Sequence, residues 1–239
     1  MKPEANLPTI VFGQHLLTLL PSGAIYCAAL ATLWVADVHL GKAATYRQLG
    51  QPVPQGTTTA TLTQLSQDIQ RYCVKHLVVL GDFLHGPQVH QSSSTLRAMA
   101  HWREQHLSCE ITLIRGNHDD RAGDPPKGLA ISVVDEPYVC SGIACCHDKR
   151  GVVVNDLPVL WGHIHPVTVL KGRARERLRL PCFVVAPDYI LLPAYGAFTG
   201  GHVYTPAGDE TLYVIADQSV LKLPGPASIV RQGSPATDP

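Results

Sequence analysis

No run of apolar residues in this sequence approaches the roughly 18 that a membrane-spanning helix needs. The N-terminus also lacks the basic segment followed by an apolar one that marks an export signal. The expectation is a soluble, unexported, cytoplasmic chain. Neither sign of charge is in surplus, since 19 Lys and Arg balance 19 Asp and Glu. That argues against a strongly basic nucleic-acid coat but leaves room for a local basic patch. CxxC spacing is absent, and the seven cysteines are odd in number. Cys27, Cys73, Cys140 and Cys182 lie in apolar runs, where cysteine behaves as a small buried hydrophobe. The adjacent Cys145 and Cys146 make poor disulfide partners on geometry, so a reducing compartment is expected.

No internal repeat occurs, and the one biased tract is the Pro-, Ser- and Gly-rich end. What the chain does have is size and apolar content. At 239 residues and 45% hydrophobic it can bury a sizeable core. A single domain over residues 1–223 is expected, with residues 224–239 as a flexible tail.

Three short β-type runs open the chain: Thr9 to Phe12, His15 to Leu20 and Ala24 to Leu30. Pro21-Ser22-Gly23 supplies a turn between the last two, which predicts an antiparallel start. Leu33 to Ala36, Leu77 to Leu80 and Ile111 to Ile114 are continuous apolar strands of the fully buried kind. Between them lie a polar connection, Gly41 to Gly56, and two helices. The first is capped by Thr57 and carries Leu62, Leu65, Ile69 and Cys73 at helical spacing; the second spans roughly Ser92 to His106. Alternating strand and helix implies parallel pairing. The second half is strand-like throughout: Ile131 to Val134, Tyr138 to His147, Val159 to Trp161, Leu178 to Val185, Tyr189 to Leu192 and Thr211 to Ile215. The pattern predicts an α/β fold of two mixed sheets packed face to face with helices outside.

Chemistry-bearing residues collect where apolar strands stop. Asp37-Val38-His39 follows one strand and Gly81-Asp82 the next. Gly116-Asn117-His118-Asp119 follows a third, and Gly162-His163-Ile164-His165 follows Val159 to Trp161. His147 ends the run Ile143-Ala144-Cys145-Cys146. Strand ends are where open α/β sheets place their ligands, and a carboxylate such as Asp82 can bridge two cations about 3.5–4 Å apart. On a regular strand, residues two apart share a face, so Asp37 with His39, or His163 with His165, could chelate one ion. Any single histidine here is more simply a polar cap, and His15, His76, His90, His101, His106 and His202 show no partner pattern. The ordered combination of D-x-H, G-D, G-N-H-D, H and G-H-x-H is what carries the signal. Two divalent ions against two carboxylates would leave positive charge, which favours an anionic substrate such as a phosphate.

In that combination the chain resembles the calcineurin-like metallophosphoesterases. The resemblance implies a four-layer α/β/β/α sandwich and a residue-by-residue assignment. Asp37, His39 and His165 would hold one metal, Asp82 would bridge, and Asn117, His147 and His163 would hold the other. A narrower likeness rests on Gly41-Lys-Ala-Ala-Thr-Tyr-Arg, Pro52-Val-Pro, Gly81-Asp-Phe-Leu-His and Leu192-Pro-Ala-Tyr-Gly-Ala-Phe-Thr-Gly-Gly. These look like the bacterial ligase-associated DNA-damage-response endonucleases. That likeness implies a manganese-dependent DNA endonuclease and phosphodiesterase in DNA repair, associated with an ATP-dependent DNA ligase and an exonuclease.

Mixed nitrogen and oxygen ligands with a bridging carboxylate suit two Mn²⁺ or Fe ions, and zinc also binds imidazole well. With Asn117 occupying its turn as a ligand, His118 is free to assist the leaving oxygen. Asp119 then either orients His118 or is a plain turn carboxylate. His85 is a substrate contact, a support for the ligands or a surface residue. Arg47 and Arg115 are phosphate contacts or solvated charges. Arg173, Arg175, Arg177 and Arg179 alternate, so on a strand they would share one face that either meets a polyanion or protects a sheet edge. Competing readings are a small-molecule phosphodiesterase or pyrophosphatase and a non-catalytic scaffold.

Overall fold

The computed structural model describes residues 7–53, 56–150, 152, 154, 156–172 and 176–224. The first sheet begins as an antiparallel meander of β1 (Thr9–Phe12), β2 (His15–Leu19), β3 (Ile25–Cys27) and β4 (Thr32–Ala36). Helices α1 (Lys42–Gln48) and α2 (Thr57–Arg71) lead to β5 (His76–Leu80). Helix α3 (Ser93–Gln105) leads to β6 (Glu110–Ile114), and α4 (Asn117–Ala122) to β7 (Ser132–Val134). Strands β4 to β7 are parallel, as alternating strand and helix implies.

The second sheet contains β8 (Tyr138–Cys140), β9 (Ile143–Cys145), β10 (Val159–Trp161), β11 (Pro166–Lys171) and β12 (Arg177–Val185). It is completed by β13 (Tyr189–Leu191), β14 (His202–Val203), β15 (Thr211–Ala216) and β16 (Ser219–Lys222). Its main order is β14-β11-β12-β13-β10-β9-β8, with β15 pairing both β12 and β16. Parallel and antiparallel pairs mix in it, so both sheets are mixed.

Strand periodicity explains the layering. In β4 and β5, Leu33, Val35, Leu77 and Val79 turn to one side and pack with Leu62, Leu65, Ile69, Met99 and Trp102 of the helices. The alternate residues Trp34, Ala36, Val78 and Leu80 turn to the other side, against Cys145, Leu160, Phe183 and Ile190 of the second sheet. Burial on both faces is why these strands read as unbroken apolar runs.

The helices lie against the first sheet. Two mixed sheets with flanking helices are the α/β architecture expected from the sequence; the outer face of the second sheet is covered by chain without helix among the described residues. Val152, Val154, Leu157 and Leu223 cover that face, packing with Trp161, Val184 and Leu212. The physical reason is visible in the chain, because the second half carries short period-two runs and no helical stripe.

Other differences are local. The expected connection Gly41 to Gly56 contains α1, whose Ala43 and Thr45 are buried. Thr57 does not cap α2. Gly56 occupies the cap in a left-handed conformation (φ 80°), and Thr57 is the first helical residue. The expected strand Tyr138 to His147 is a hairpin, turned at Ser141 and Gly142. The expected tail beyond residue 224, and Arg173 and Arg175, lie outside the described residues. No helix among the described residues is long and apolar enough to cross a membrane.

Candidate metal centre

Turns after β4, β5, β6 and β10 bring the motif residues together, with His147 just beyond β9. Five of the seven candidate ligands have positive φ: Asp37 (55°), His39 (48°), Asp82 (52°), His163 (72°) and His165 (51°). Non-glycine residues hold this conformation at a cost of about 1–3 kcal/mol each. The packed strands beneath impose it, and it redirects each side chain from the strand axis into a common cleft. Two glycines are required by close approach. A Cβ on Gly81 (φ 75°) would sit 2.2 Å from His147 Nδ1, and one on Gly116 would sit 2.4 Å from Asp82 Oδ1.

The ligands form two clusters in which candidate atoms lie within 4.8 Å of one another: Asp37, His39 and His165, and Asp82, His147 and His163. Asp37 and His39 share a cluster, as two-residue spacing suggests. His163 and His165 do not. All four residues have left-handed backbone, so the reasoning from a regular strand holds for neither pair, and the turns themselves decide the grouping. Asp82 stands between the clusters, with Oδ1 3.5 Å from His147 Nε2 and Oδ2 3.7 Å from His39 Nε2.

Hydrogen bonding fixes which atoms face inward. His147 Nδ1 donates to the Leu80 carbonyl (3.0 Å), and His165 Nδ1 donates to the Gly200 carbonyl (3.1 Å). In the neutral rings both Nε2 atoms therefore present lone pairs. His147 Nε2 faces Asn117 Oδ1 at 3.0 Å and His163 Nδ1 at 2.9 Å. His165 Nε2 faces His39 Nε2 at 3.3 Å and Asp37 Oδ1 at 3.1 Å. Asp37 Oδ1, though close to His165, is buried without a hydrogen bond, while its Oδ2 accepts from the His163 N–H (2.9 Å). With Nδ1 of His147 donating, its Nε2 and Asn117 Oδ1 set acceptor against acceptor in a buried site, an arrangement that calls for a cation. The donor set thus fits divalent ions with mixed nitrogen and oxygen preference.

Protonation follows the same logic. Burial, then the neighbouring His165, lowers the His39 pKa, and burial likewise raises that of Asp82. Burial opposes charge on His165, but the Asp37 carboxylate outweighs it and raises the pKa.

His118 lies beside these clusters. Its N–H donates to Asp82 Oδ1 (2.8 Å), and its Nδ1 donates to the His85 carbonyl (2.7 Å), which leaves Nε2 uncommitted. The His85 ring stacks on it at 4.9 Å, and burial together with His118 pushes the His85 pKa down to about 4.

Asp119 does not orient His118. It is 1% exposed and accepts from the backbone N–H groups of Leu84 (2.9 Å), Gly116 (3.1 Å) and Phe83 (3.2 Å). It ties the turn after β6 to the turn after β5. Burial pushes its pKa up to about 6.

Arg115 is turned to the surface, where Asp135 (2.6 Å) and Asp124 (2.9 Å) take its guanidinium. Arg47 lines a cleft of about 360 Å³ with Thr57, Thr58 and Ser94, and no histidine is among its lining residues.

Sequence reasoning missed Glu136, whose carboxylate accepts from the N–H groups of His147 (2.7 Å) and Asp148 (3.2 Å). It also missed Asp148, 3.8 Å from His163 Nε2. Adjacency to His147 could have pointed to Asp148; nothing local points to Glu136.

The calcineurin-like phosphoesterase family matches residues 30–181. The chain is similar to the crystal structure of Pseudomonas putida nuclease MPE, at 43% identity and a TM-score of 0.79, covering 91% of this chain and 100% of that one. It also matches Yfce, a phosphoesterase from E. coli, at 16% identity, with 80% and 97% of the two chains covered and a TM-score of 0.39. No curated protein matches. With most of its length matched and the ligand motifs converging at the strand ends, the chain belongs to the calcineurin-like phosphoesterase family.

Proposed function

We propose that the protein is a binuclear-metal nuclease that hydrolyses phosphodiester bonds in DNA. The observation that carries the reading is the convergence of imidazole nitrogens and carboxylate oxygens in two clusters, with Asp82 of one also 3.7 Å from His39 of the other. Similarity to the P. putida nuclease supports the choice of a polynucleotide over a small diester. Asp37, His39 and His165 would hold one ion, and Asn117, His147 and His163 the other, with Asp82 bridging. Mn²⁺ best matches the donor set, with Fe or Zn as competitors. When bound, two such ions supply Lewis acidity and a water made nucleophilic at neutral pH.

The chain's own residues supply the rest. Backbone N–H groups of His163 and His118 hold one oxygen of Asp37 and of Asp82, so each carboxylate is oriented before any ligand arrives. His118, with Nδ1 committed to the His85 carbonyl, carries a proton on Nε2 when cationic and delivers it to the leaving oxygen. Asp119 acts on the chemistry only by holding the two turns that carry Asp82 and His118.

A role in DNA repair, in a cytoplasm, with an ATP-dependent DNA ligase and an exonuclease as partners, extends the reading and rests on the sequence likeness alone. Co-purification of the tagged protein with such a ligase would test it.

The activity is tested on metal-depleted protein restored with Mn²⁺, using a chromogenic phosphodiester and nicked, linear and single-stranded DNA, with Asp82→Ala as control. Cleavage of both substrates, lost in the control, is expected. Diester cleavage with every DNA untouched would replace the nuclease with a small-molecule phosphodiesterase or pyrophosphatase. Inactivity on both would leave a non-catalytic scaffold.

A further inference from the structure

Beside His165 the second sheet opens into a cleft of about 210 Å³, lined by His165, Val167, Arg179, Thr199, Gly200 and Gly201. Two contacts tie its cationic wall to the metal centre. The Arg179 guanidinium donates to the Gly201 carbonyl, and the carbonyl of the adjacent Gly200 holds His165 Nδ1 at 3.1 Å. A Cβ on Gly201 would lie 2.2 Å from Val167 Cγ1 and 3.2 Å from the His165 carbonyl, so the glycine lets this strip lie flat against β11.

The antiparallel register of β11 and β12 sets Lys171 directly opposite Arg177 and Val169 opposite Arg179. Directly paired residues share a face, and so do residues two apart on one strand. Lys171, Arg177 and Arg179 therefore form one exposed cationic face leading away from the cleft. Like charges directly opposite one another destabilise a strand pair. Among the described residues, no carboxylate forms an ion pair with Lys171 or Arg177. Exposed charge also guards sheet edges, but an edge guard needs no cleft opening onto a metal-ligand candidate, nor a guanidinium fixed at its wall.

We infer that this hairpin face binds the phosphate backbone flanking the scissile bond. Arg179 holds the phosphate next to the metal centre, and Arg177 with Lys171 holds those further out. The inference rests on the nuclease reading and adds where the substrate strand runs. A phosphate contact by a cation releases condensed counterions, so each contact adds about 0.7–0.9 to the slope of log affinity against log salt. A small diester reaches only the metal centre.

The test uses full-length, Mn²⁺-loaded protein and compares Arg179→Ala, Arg179→Lys and Lys171→Ala/Arg177→Ala with wild type. Readouts are kcat/KM on DNA at several salt concentrations and kcat/KM on a chromogenic diester. The expected result is a DNA-to-diester ratio lowered about tenfold in Arg179→Ala, with a salt slope smaller by about one. Arg179→Lys should keep the slope, and the double variant should lower it by about two. Equal losses on both substrates would make Arg179 only a prop for Gly200 and His165 and overturn the inference. An unchanged slope in all variants, with wild-type DNA cleavage intact, would overturn it while leaving the nuclease reading standing. Wild-type protein that hydrolyses the diester but no DNA would bring down both.

Discussion

Replacing Asp119 by alanine separates two roles that sequence alone cannot tell apart. Its carboxylate is buried and accepts three backbone N–H groups, from Phe83, Leu84 and Gly116. Alanine would leave those donors without a partner in a water-poor site, at about 1–3 kcal/mol each. Some water entry reduces the sum, so about 3–5 kcal/mol is expected. That is a large fraction of the roughly 5–15 kcal/mol that typically holds a domain folded. At about 2–4 °C per kcal/mol for a chain of this size, Tm should fall by about 6–20 °C. Asparagine keeps an oxygen for two of the donors but turns an NH₂ toward the third, so an intermediate loss of about 1–3 kcal/mol is expected. The assay is urea unfolding of chelator-treated protein, followed by Mn²⁺ titration of the folded variants. A loss under about 1 kcal/mol in Asp119→Ala, with Mn²⁺ binding intact and turnover abolished, would refute the backbone-clamp role. It would return Asp119 to His118.

Gly81→Ala should weaken Mn²⁺ binding about 10–100-fold by displacing His147, whose Nδ1 lies 2.2 Å from the new Cβ; unchanged affinity by calorimetry would contradict it. His118→Ala should keep its Mn²⁺ and lose about 10²–10⁴ in kcat on DNA, with a smaller loss on a diester whose leaving group needs no proton. Equal losses on both would exclude proton delivery. Asp68 is buried on α2 and accepts from the Tyr195 hydroxyl at 2.9 Å, and burial raises its pKa. A carboxyl whose folded pKa exceeds its unfolded value stabilises fully below about pH 4 and loses that contribution as pH rises through the folded pKa. Urea midpoints of chelated wild type should therefore decline more with rising pH than those of Asp68→Asn, and parallel curves would count against this.

Much of the architecture, and the gathering of candidate ligands at strand ends, was legible in the chain because both depend on local regularities. A continuous apolar strand must be buried on both faces, so β4, β5 and β6 announced a covered parallel sheet. A turn ending in Asp, Asn or His at each strand end announced where ligands would gather. Tertiary structure decided the rest. Asp37 and His39 fell in one cluster and His163 and His165 in two, although all four have left-handed backbone, so strand periodicity decided neither grouping. Asp119 was drawn to the backbone donors of Leu84 and Phe83, 35 and 36 residues away, in a turn that no local pattern encodes. Arg115 turned outward because Asp124 and Asp135, distant in sequence, meet it at the surface. Glu136 reached His147 across a hairpin. Sequence determines which groups arrive at strand ends. Only the packing of two sheets determines the direction in which each one points and what it touches there.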